Sequence, residues 1–331
     1  MEKKVRINKY DNLRGLAIFL VVFAHLDVLR AMGPANGNLI FLIHLPVLFF
    51  VAGYFSKIGP DEPLKSFKRL FLPYIIFCTI TKLFNFVVFG KFNLGLIFFE
   101  SEFALWFLIA LFFMKMALPI VDKFRYPIIT ALICALLVGF VDISPNYLGL
   151  TRGFSYFPIF LVGFYFKQSK DGLTTRYSKI IDTFNKHRIL ISVLICIITI
   201  PVIIKFQGKF FLFKTPYSGN VVFEMIKKLI VLILQIGWVM MLDSFMTNKE
   251  CFLTKFGRNS MAVYILHCYV RIYLKPILPE IFANYNPIVF LALMFLLALA
   301  ITFILSRDIV TKYLNKFTDS IYDLIVKPIK S

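Results

Sequence analysis

The stretch Asp11-Asn-Leu-Arg-Gly-Leu-Ala-Ile-Phe-Leu-Val-Val-Phe-Ala-His25 is strongly apolar and yet contains an arginine, Arg14, and a histidine. Ionisable residues inside an apolar run of a membrane protein are costly and usually functional. Eleven positions separate Arg14 from His25, so on an α-helix they are offset by roughly 20° and lie about 16 Å apart along the axis. We therefore expect both side chains on one face of the first helix.

Composition places this helix in a membrane. Hydrophobic residues make up 59% of the 331-residue chain, which contains 40 Phe, and a soluble fold cannot bury that much apolar surface. We therefore predict an all-α integral membrane protein, a bundle of about ten transmembrane helices. The apolar runs long enough to cross a bilayer lie at 11–30, 39–57, 70–90, 104–122, 126–142, 148–166, 188–206, 221–246, 259–279 and 287–306.

The positive charge follows the loops of this arrangement. Of the 37 Lys and Arg residues, 24 lie in the two tails and in alternate connections, and five lie in the opposite connections. The positive-inside rule then places both termini in the cytoplasm, and it explains the net charge of +19 without nucleic acid as a partner. We assign residues 1–306 to one transmembrane domain and 307–331 to a cytoplasmic tail. The tail has the helical spacing of an interfacial amphipathic helix, with Ile309, Tyr313, Phe317, Ile321 and Leu324 on its apolar side.

The cysteine spacing argues against disulfides and a metal site, and the N-terminal sequence argues against a cleaved signal peptide. The five cysteines show neither paired nor metal-ligand spacing, so we predict neither a disulfide framework nor a metal site. The N-terminal segment resembles a secretory signal, but it lacks a convincing small-residue cleavage site before the next span. We therefore expect an uncleaved first helix.

Several further polar and aromatic residues lie within or beside the predicted spans. We expect His25 and His44 at similar depth, because each is five residues from the outer end of its span. A buried polar cluster is one interpretation, although in-span histidines also form ordinary interhelical hydrogen bonds and Arg14 is close enough to the cytoplasm to snorkel. Glu102 is also explained as a water-facing loop residue, and Trp106 as an interfacial anchor. The candidate site-lining residues are Asp11, His44, Glu102, Trp106, Arg152 and His267.

The chemistry of such a cluster suits group transfer. Histidine takes and returns protons near neutral pH, and arginine keeps its charge and stabilises a carboxylate, a phosphate or a developing oxyanion. The loop before the third span contains Lys65, Lys68 and Arg69, three cations that would suit a phosphorylated cofactor. Positive-inside topology alone also places basic residues at such a point.

Arg14 and His25 with ten residues between them, in an Asp-x-x-Arg-Gly opening, resemble the signature of the membrane acyltransferase-3 family. The resemblance extends along nearly the whole chain, and the later segments are most similar to the fucose 4-O-acetylase-like branch. The other segments that carry it are His44-Leu-Pro-Val-Leu-Phe-Phe-Val-Ala-Gly-Tyr54, Lys68-Arg-Leu-Phe-Leu-Pro-Tyr74, Leu105-Trp-Phe-Leu108, Tyr156-Phe-Pro-Ile-Phe-Leu-Val-Gly163 and Gly257-Arg-Asn-Ser-Met-Ala-Val-Tyr-Ile-Leu-His267.

This resemblance implies a ten-helix enzyme that transfers an acyl group, usually acetyl from cytoplasmic acetyl-CoA, to a hydroxyl of a cell-surface or extracellular polysaccharide or its lipid-linked precursor. It implies that His25 is the catalytic histidine, that Arg14 is its essential companion, and that Lys68 and Arg69 lie near the CoA phosphates. The expected setting is a bacterial or archaeal plasma membrane. Because no extracytoplasmic esterase-like domain follows the last span, either the membrane domain modifies its acceptor directly or a separate extracytoplasmic transferase or polysaccharide-synthesis machinery finishes the transfer.

Two other classes of function stay open at this point. One is a secondary transporter of an anionic solute, in which Arg14, Arg152 and proline-broken spans line a midplane site. The other is a non-catalytic subunit of a polysaccharide export or synthesis complex.

Overall fold

Helices dominate the computed structural model, which describes residues 6–26, 28–90, 99–101, 104–282 and 286–326. Within these ranges there is no β-strand, and Glu100 and Tyr147 form one isolated antiparallel bridge. The all-α prediction is therefore confirmed for the described chain.

The helices that the structure describes follow one another with short connections. They are α1 Asn8–Ala24, α2 Val28–Tyr54, α3 Glu62–Ser66, α4 Leu72–Phe89, α5 Trp106–Val121, α6 Pro127–Leu137, α7 Leu150–Lys170, α8 Ser178–Lys186, α9 Arg188–Lys205, α10 Gly208–Phe211, α11 Val221–Phe245, α12 Phe252–Arg258, α13 Ser260–Phe282, α14 Pro287–Leu305 and α15 Asp308–Ile325. A π-helical turn, Phe67–Phe71, joins α3 to α4, and a 3₁₀ turn, Val138–Phe140, follows α6.

Five of the described helices are long and apolar enough to cross a membrane. They cover Gly37–Tyr54, Glu62–Val88, Arg188–Lys205, Val221–Phe245 and Pro287–Leu305, and shorter apolar helices cover Trp106–Val121, Pro127–Phe140 and Ser260–Leu274. The prediction of ten spanning helices is not confirmed, because several of the predicted spans form helices that are shorter or more charged than a spanning segment requires. The cytoplasmic position of both termini stays a prediction.

The first helix ends earlier than the predicted span 11–30. Its last helical residue is Ala24, and His25 adopts φ −88° and ψ −2° in the turn that follows. The next helix already begins at Val28, so the break between the first two helices lies at His25 and not at the polar segment 31–38. His25 therefore lies at the end of a helix, where its ring has fewer neighbours on its own helix.

The described chain divides into two compact units. Unit 1 consists of residues 1–55, 159–212 and 217–307, and unit 2 of residues 56–158, 213–216 and 308–331. Both units are therefore assembled from segments that are distant in the sequence, and each contains some of the candidate site residues.

In unit 1, α1 is surrounded by helices from both ends of the chain. It packs against α2, α12, α13 and α14. Contact with α12 is backbone against backbone, because a Cβ at Gly15 would overlap the carbonyl oxygen of Leu253 and one at Gly257 would overlap that of Asp11. Small residues at helix interfaces permit such close approach in membrane proteins. Gly53 and Gly163 form a second reciprocal pair, against the carbonyls of Phe160 and Phe50.

A fully buried asparagine ties α1 to α12 and to the segment before it. Asn12 donates to the carbonyls of Thr247 and Lys249 at 2.9 and 3.0 Å, and it accepts a hydrogen bond from the Thr254 hydroxyl. Buried amide groups need such partners to offset their desolvation. These contacts fix the axial position of α1, and with it the positions of the residues on either side of Asn12.

In unit 2, the predicted tail helix is present as α15. Its Phe317 ring contacts Phe77 of α4 at a centroid distance of 6.4 Å. Other apolar side chains of this helix are exposed, including Tyr313 at 66% and Leu324 at 86%. Apolar side chains exposed on one helix are typical of an interfacial segment, and the interfacial position of this helix stays a prediction.

Candidate active site

In unit 1, a polar contact joins His25 to His267. Nδ1 of His25 lies 2.9 Å from Nε2 of His267, a hydrogen-bond distance. His267 is on α13 and is almost completely buried, with 2% of its surface exposed, whereas His25 is partly exposed. The other ring nitrogen of His267, Nδ1, lies 3.0 Å from the carbonyl oxygen of Val263. Two of the predicted candidates are thus one hydrogen-bonded pair.

Arg14 lies one turn after a second polar cluster, centred on the buried carboxylate of Asp11. Nη1 of Arg14 is 3.9 Å from Oδ1 of Asp11, and its guanidinium carbon is 5.6 Å from the centre of the Phe55 ring. Its side chain is 28% exposed. Arg14 lies in α1, and His25 directly follows its last residue. Arg14 therefore belongs to the Asp11 cluster near the start of the helix, whereas His25 belongs to the histidine pair at its end.

Two further arginines approach the same carboxylate. Arg6 donates to both oxygens of Asp11 through Nε and Nη2, and this hydrogen bonding raises the pKa of Arg6 above its ordinary value. Nε of Arg258 lies 3.8 Å from Asp11, and its Nη1 pairs with Glu250 at 2.8 Å. The cluster therefore contains more arginine than carboxylate charge. Sequence reasoning missed Arg6 and Arg258, although the Gly257-Arg-Asn-Ser segment was a signal for Arg258.

A family model described as "Acyltransferase domain" matches residues 7–307, which include the histidine pair, the Asp11 cluster and the segments between them. The chain belongs to the acyltransferase-3 family. Its membership and its apolar helices make it a multi-pass membrane acyltransferase. No curated protein and no solved structure matches the chain.

Unit 2 contains the basic residues that the sequence assigned to a phosphorylated donor. Lys68 and Arg69 lie in the π-helical turn, a local geometry found frequently at functional sites. Lys68 pairs with Asp319 of α15 at 2.8 Å and its Nζ lies 4.6 Å from the centre of the Tyr322 ring. Lys65 is 3.4 Å from Asp61. Lys65 and Arg69 are exposed and the Lys68 side chain is 38% exposed, and ion pairs near the surface exchange readily for another anion.

Arg152 and Trp106 form a buried pair in unit 2. The guanidinium carbon of Arg152 lies 3.9 Å from the centre of the Trp106 ring, and both residues are less than 5% exposed. Arg152 also donates to the Pro145 carbonyl and to the Asn146 side chain. A Tyr156 ring lies 6.2 Å from Trp106. Trp106 is therefore packed within unit 2 and not displayed at a surface.

The remaining candidate residues are His44 and Glu102. His44 is buried on α2, and its Nδ1 lies 2.6 Å from the Ile40 carbonyl. Glu102 lies outside the described residues. Across the described residues, no group of three or more His, Cys, Asp or Glu side chains is arranged to hold a metal ion.

Proposed function

We propose that this membrane acyltransferase is an O-acetyltransferase, which moves acetyl from cytoplasmic acetyl-CoA to a hydroxyl of a cell-surface or extracellular polysaccharide or of its lipid-linked precursor. The observation that carries the proposal is the histidine pair at the end of the helix that bears the family signature. A partly exposed imidazole held by a buried partner is suited to general base catalysis at neutral pH.

In the proposed reaction, His25 removes the proton of the acceptor hydroxyl as the oxygen attacks the thioester carbonyl. Collapse of the tetrahedral intermediate breaks the C–S bond, and the proton held by His25 passes to the departing CoA thiolate. The alternative route has His25 attack the thioester first and pass the acetyl group on from an acetyl-histidine. Both routes use the same ring, and trapping of acetylated protein distinguishes them.

We propose that the phosphates of the donor bind to Lys65, Lys68 and Arg69. What supports this assignment is their position in and beside the π-helical turn and the exchangeable nature of the Lys68 to Asp319 pair. Phosphate and carboxylate compete for the same lysine because both are anions that accept its hydrogen bonds. The proposed location is a bacterial or archaeal plasma membrane. The proposed partners are the lipid bilayer, the glycan acceptor and, where the acceptor is a polymer, its synthesis machinery.

The decisive experiment measures CoA release and protein acetylation by the purified chain in nanodiscs supplied with acetyl-CoA and crude envelope glycans. His25→Ala should abolish CoA release and, on the acetyl-histidine route, protein acetylation as well. His187→Ala is the matched control, because His187 is exposed in the turn between α8 and α9. Turnover that survives in His25→Ala contradicts the assignment of His25. Transport of an anionic solute without CoA release would instead favour the transporter.

A further inference from the structure

The hydrogen bonds of the histidine pair fix where its protons lie. The Val263 carbonyl oxygen can only accept, so Nδ1 of His267 carries a proton and donates it. A neutral imidazole has one N–H, and burial of His267 strongly favours the neutral form. Nε2 of His267 then carries no proton, and its lone pair accepts a hydrogen bond from Nδ1–H of His25. When His25 is neutral, its single N–H is therefore at Nδ1, and Nε2 carries the lone pair.

The orientation of the two rings agrees with this assignment. Their planes are within 2° of parallel and their centroids are 5.1 Å apart. This separation exceeds the 2.9 Å between the nitrogens by about two ring radii, so the rings lie edge to edge and not face to face. The lone pair and the N–H of an imidazole both point outward in the ring plane, which is the arrangement that this hydrogen bond requires.

We infer that His267 is a positioning residue that holds His25 in the Nδ1–H tautomer, so that Nε2 of His25 is the atom that accepts the proton of the acceptor hydroxyl. The inference rests on the proposed function for its catalytic consequence, but not for the tautomer. Val263 is the third member of the chain of groups, because its carbonyl selects the tautomer of His267 and thereby that of His25. This is the role that a carboxylate or carbonyl plays behind other catalytic histidines.

The proton transfers balance with this assignment. Nε2 of His25 takes the hydroxyl proton while the new C–O bond forms, and His25 becomes an imidazolium whose Nδ1–H still donates to His267. When the C–S bond breaks, Nε2 returns that proton to the thiolate sulfur, and the starting tautomer is restored. His267 stays neutral throughout, which avoids a second charge in its buried position.

Two substitutions of His267 distinguish a positioning role from a purely structural one. In His267→Gln, the side-chain oxygen reaches about where Nε2 was and still accepts from Nδ1–H of His25. In His267→Leu, the side chain fills the space and no acceptor is left. We expect kcat to fall by about 10² to 10⁴ in the leucine variant, with little change in the KM for acetyl-CoA, and to be largely retained in the glutamine variant. A merely structural role predicts equal losses in both.

The tautomer is measured directly by ¹⁵N NMR of protein labelled at its four histidines, with the His25 signal assigned from its absence in His25→Ala. We expect the Nδ1–H form in the native chain and in His267→Gln, and loss of this preference in His267→Leu. A native Nε2–H form would overturn the inference. Because this readout needs no turnover, an Nδ1–H tautomer in an inactive protein would refute the proposed function and leave the positioning intact. His187→Leu, at an exposed position, controls for the labelling and for the fold.

Discussion

Arg14 reaches Asp11 only at 3.9 Å, beyond hydrogen-bond distance, whereas Arg6 occupies both oxygens of the same carboxylate. The charge of Arg14 is therefore only partly neutralised by Asp11. Arg14 and His25 are about 16 Å apart along the helix axis, so one group cannot act directly on the atoms that the other touches. We therefore expect Arg14 and His25 to have separate roles.

If Arg14 binds the anionic donor, Arg14→Ala should raise the KM for acetyl-CoA about 10- to 100-fold and leave kcat within a few-fold, since a hydrogen bond to a charged group contributes about 1.5 to 3 kcal/mol. Steady-state CoA release in nanodiscs measures both constants. Arg125→Ala, at an exposed position, is the control. A loss confined to kcat would contradict a binding role.

Asp11→Asn should destabilise the protein by about 1 to 3 kcal/mol, because three arginines would then share a neutral amide. The measurement is the shift in melting temperature in detergent. Asp61→Asn is matched to it, since Asp61 also pairs with a cation but its side chain is 78% exposed, and we expect almost no shift there. Equal shifts in the two variants would mean that burial of Asp11 is unimportant.

Gly257→Ala should displace α12 from α1, because the new methyl group overlaps the backbone oxygen of Asp11. Overpacking of this kind costs about 1 to 3 kcal/mol. We expect a lower melting temperature and reduced turnover. Gly59→Ala should be neutral, since the nearest atom to its added Cβ is a flexible side-chain carbon of Glu62 at 4.0 Å. A Gly257→Ala protein with an unchanged melting temperature and unchanged turnover would show that α12 can move away from α1 at no cost in stability or activity.

Arg152→Lys should destabilise unit 2 by about 1 to 3 kcal/mol despite retaining the charge. An ammonium group cannot lie flat on Trp106 and also reach both the Pro145 carbonyl and Asn146. Arg125→Lys also replaces an arginine stacked on an aromatic ring, that of Tyr126, but at an exposed position, so it should have little effect. Thermal melting followed by tryptophan fluorescence compares the two variants, and similar melting temperatures would refute the argument.

Lys68→Ala should raise the KM for acetyl-CoA, whereas Asp319→Asn should lower it or leave it unchanged. The reason is that Asp319 neutralises the lysine proposed to bind phosphate. Because the side chains are 38% and 50% exposed, stability should change by less than about 1 kcal/mol in either variant. Kinetics over a range of salt concentrations test this assignment, and a raised KM in both variants would contradict competition.

The sequence predicted the family and the all-α class, because these depend on composition and on spacing within one helix; the catalytic role of His25 stays a prediction. It could not predict that His25 pairs with His267. That contact joins residues 242 positions apart, and it depends on the rotation of α1 about its axis and on its axial position relative to α13. Such positions are set by close backbone contacts, as at Gly15 and Gly257, which hydropathy does not register.

Hydropathy also misplaced some helix ends. It extended the first span to residue 30, whereas the helix ends at Ala24, because apolar residues continue across the break. Residue type predicts an interfacial anchor or a site-lining residue at Trp106, and the structure places its side chain in the interior of unit 2 against Arg152. A cation–π contact between distant segments leaves no periodic signal in the sequence.

The packing of α1 against α12, α13 and α14 has a consequence for biosynthesis. Since α1 precedes α12 and α13 in the chain, Asn12, Gly15 and His25 cannot meet their partners until these later helices have been synthesised. A nascent chain that has not reached residue 247 contains α1 and α2 but lacks α12, α13 and α14, against which α1 also packs, and the second histidine. The histidine pair therefore cannot form until α13 has been synthesised.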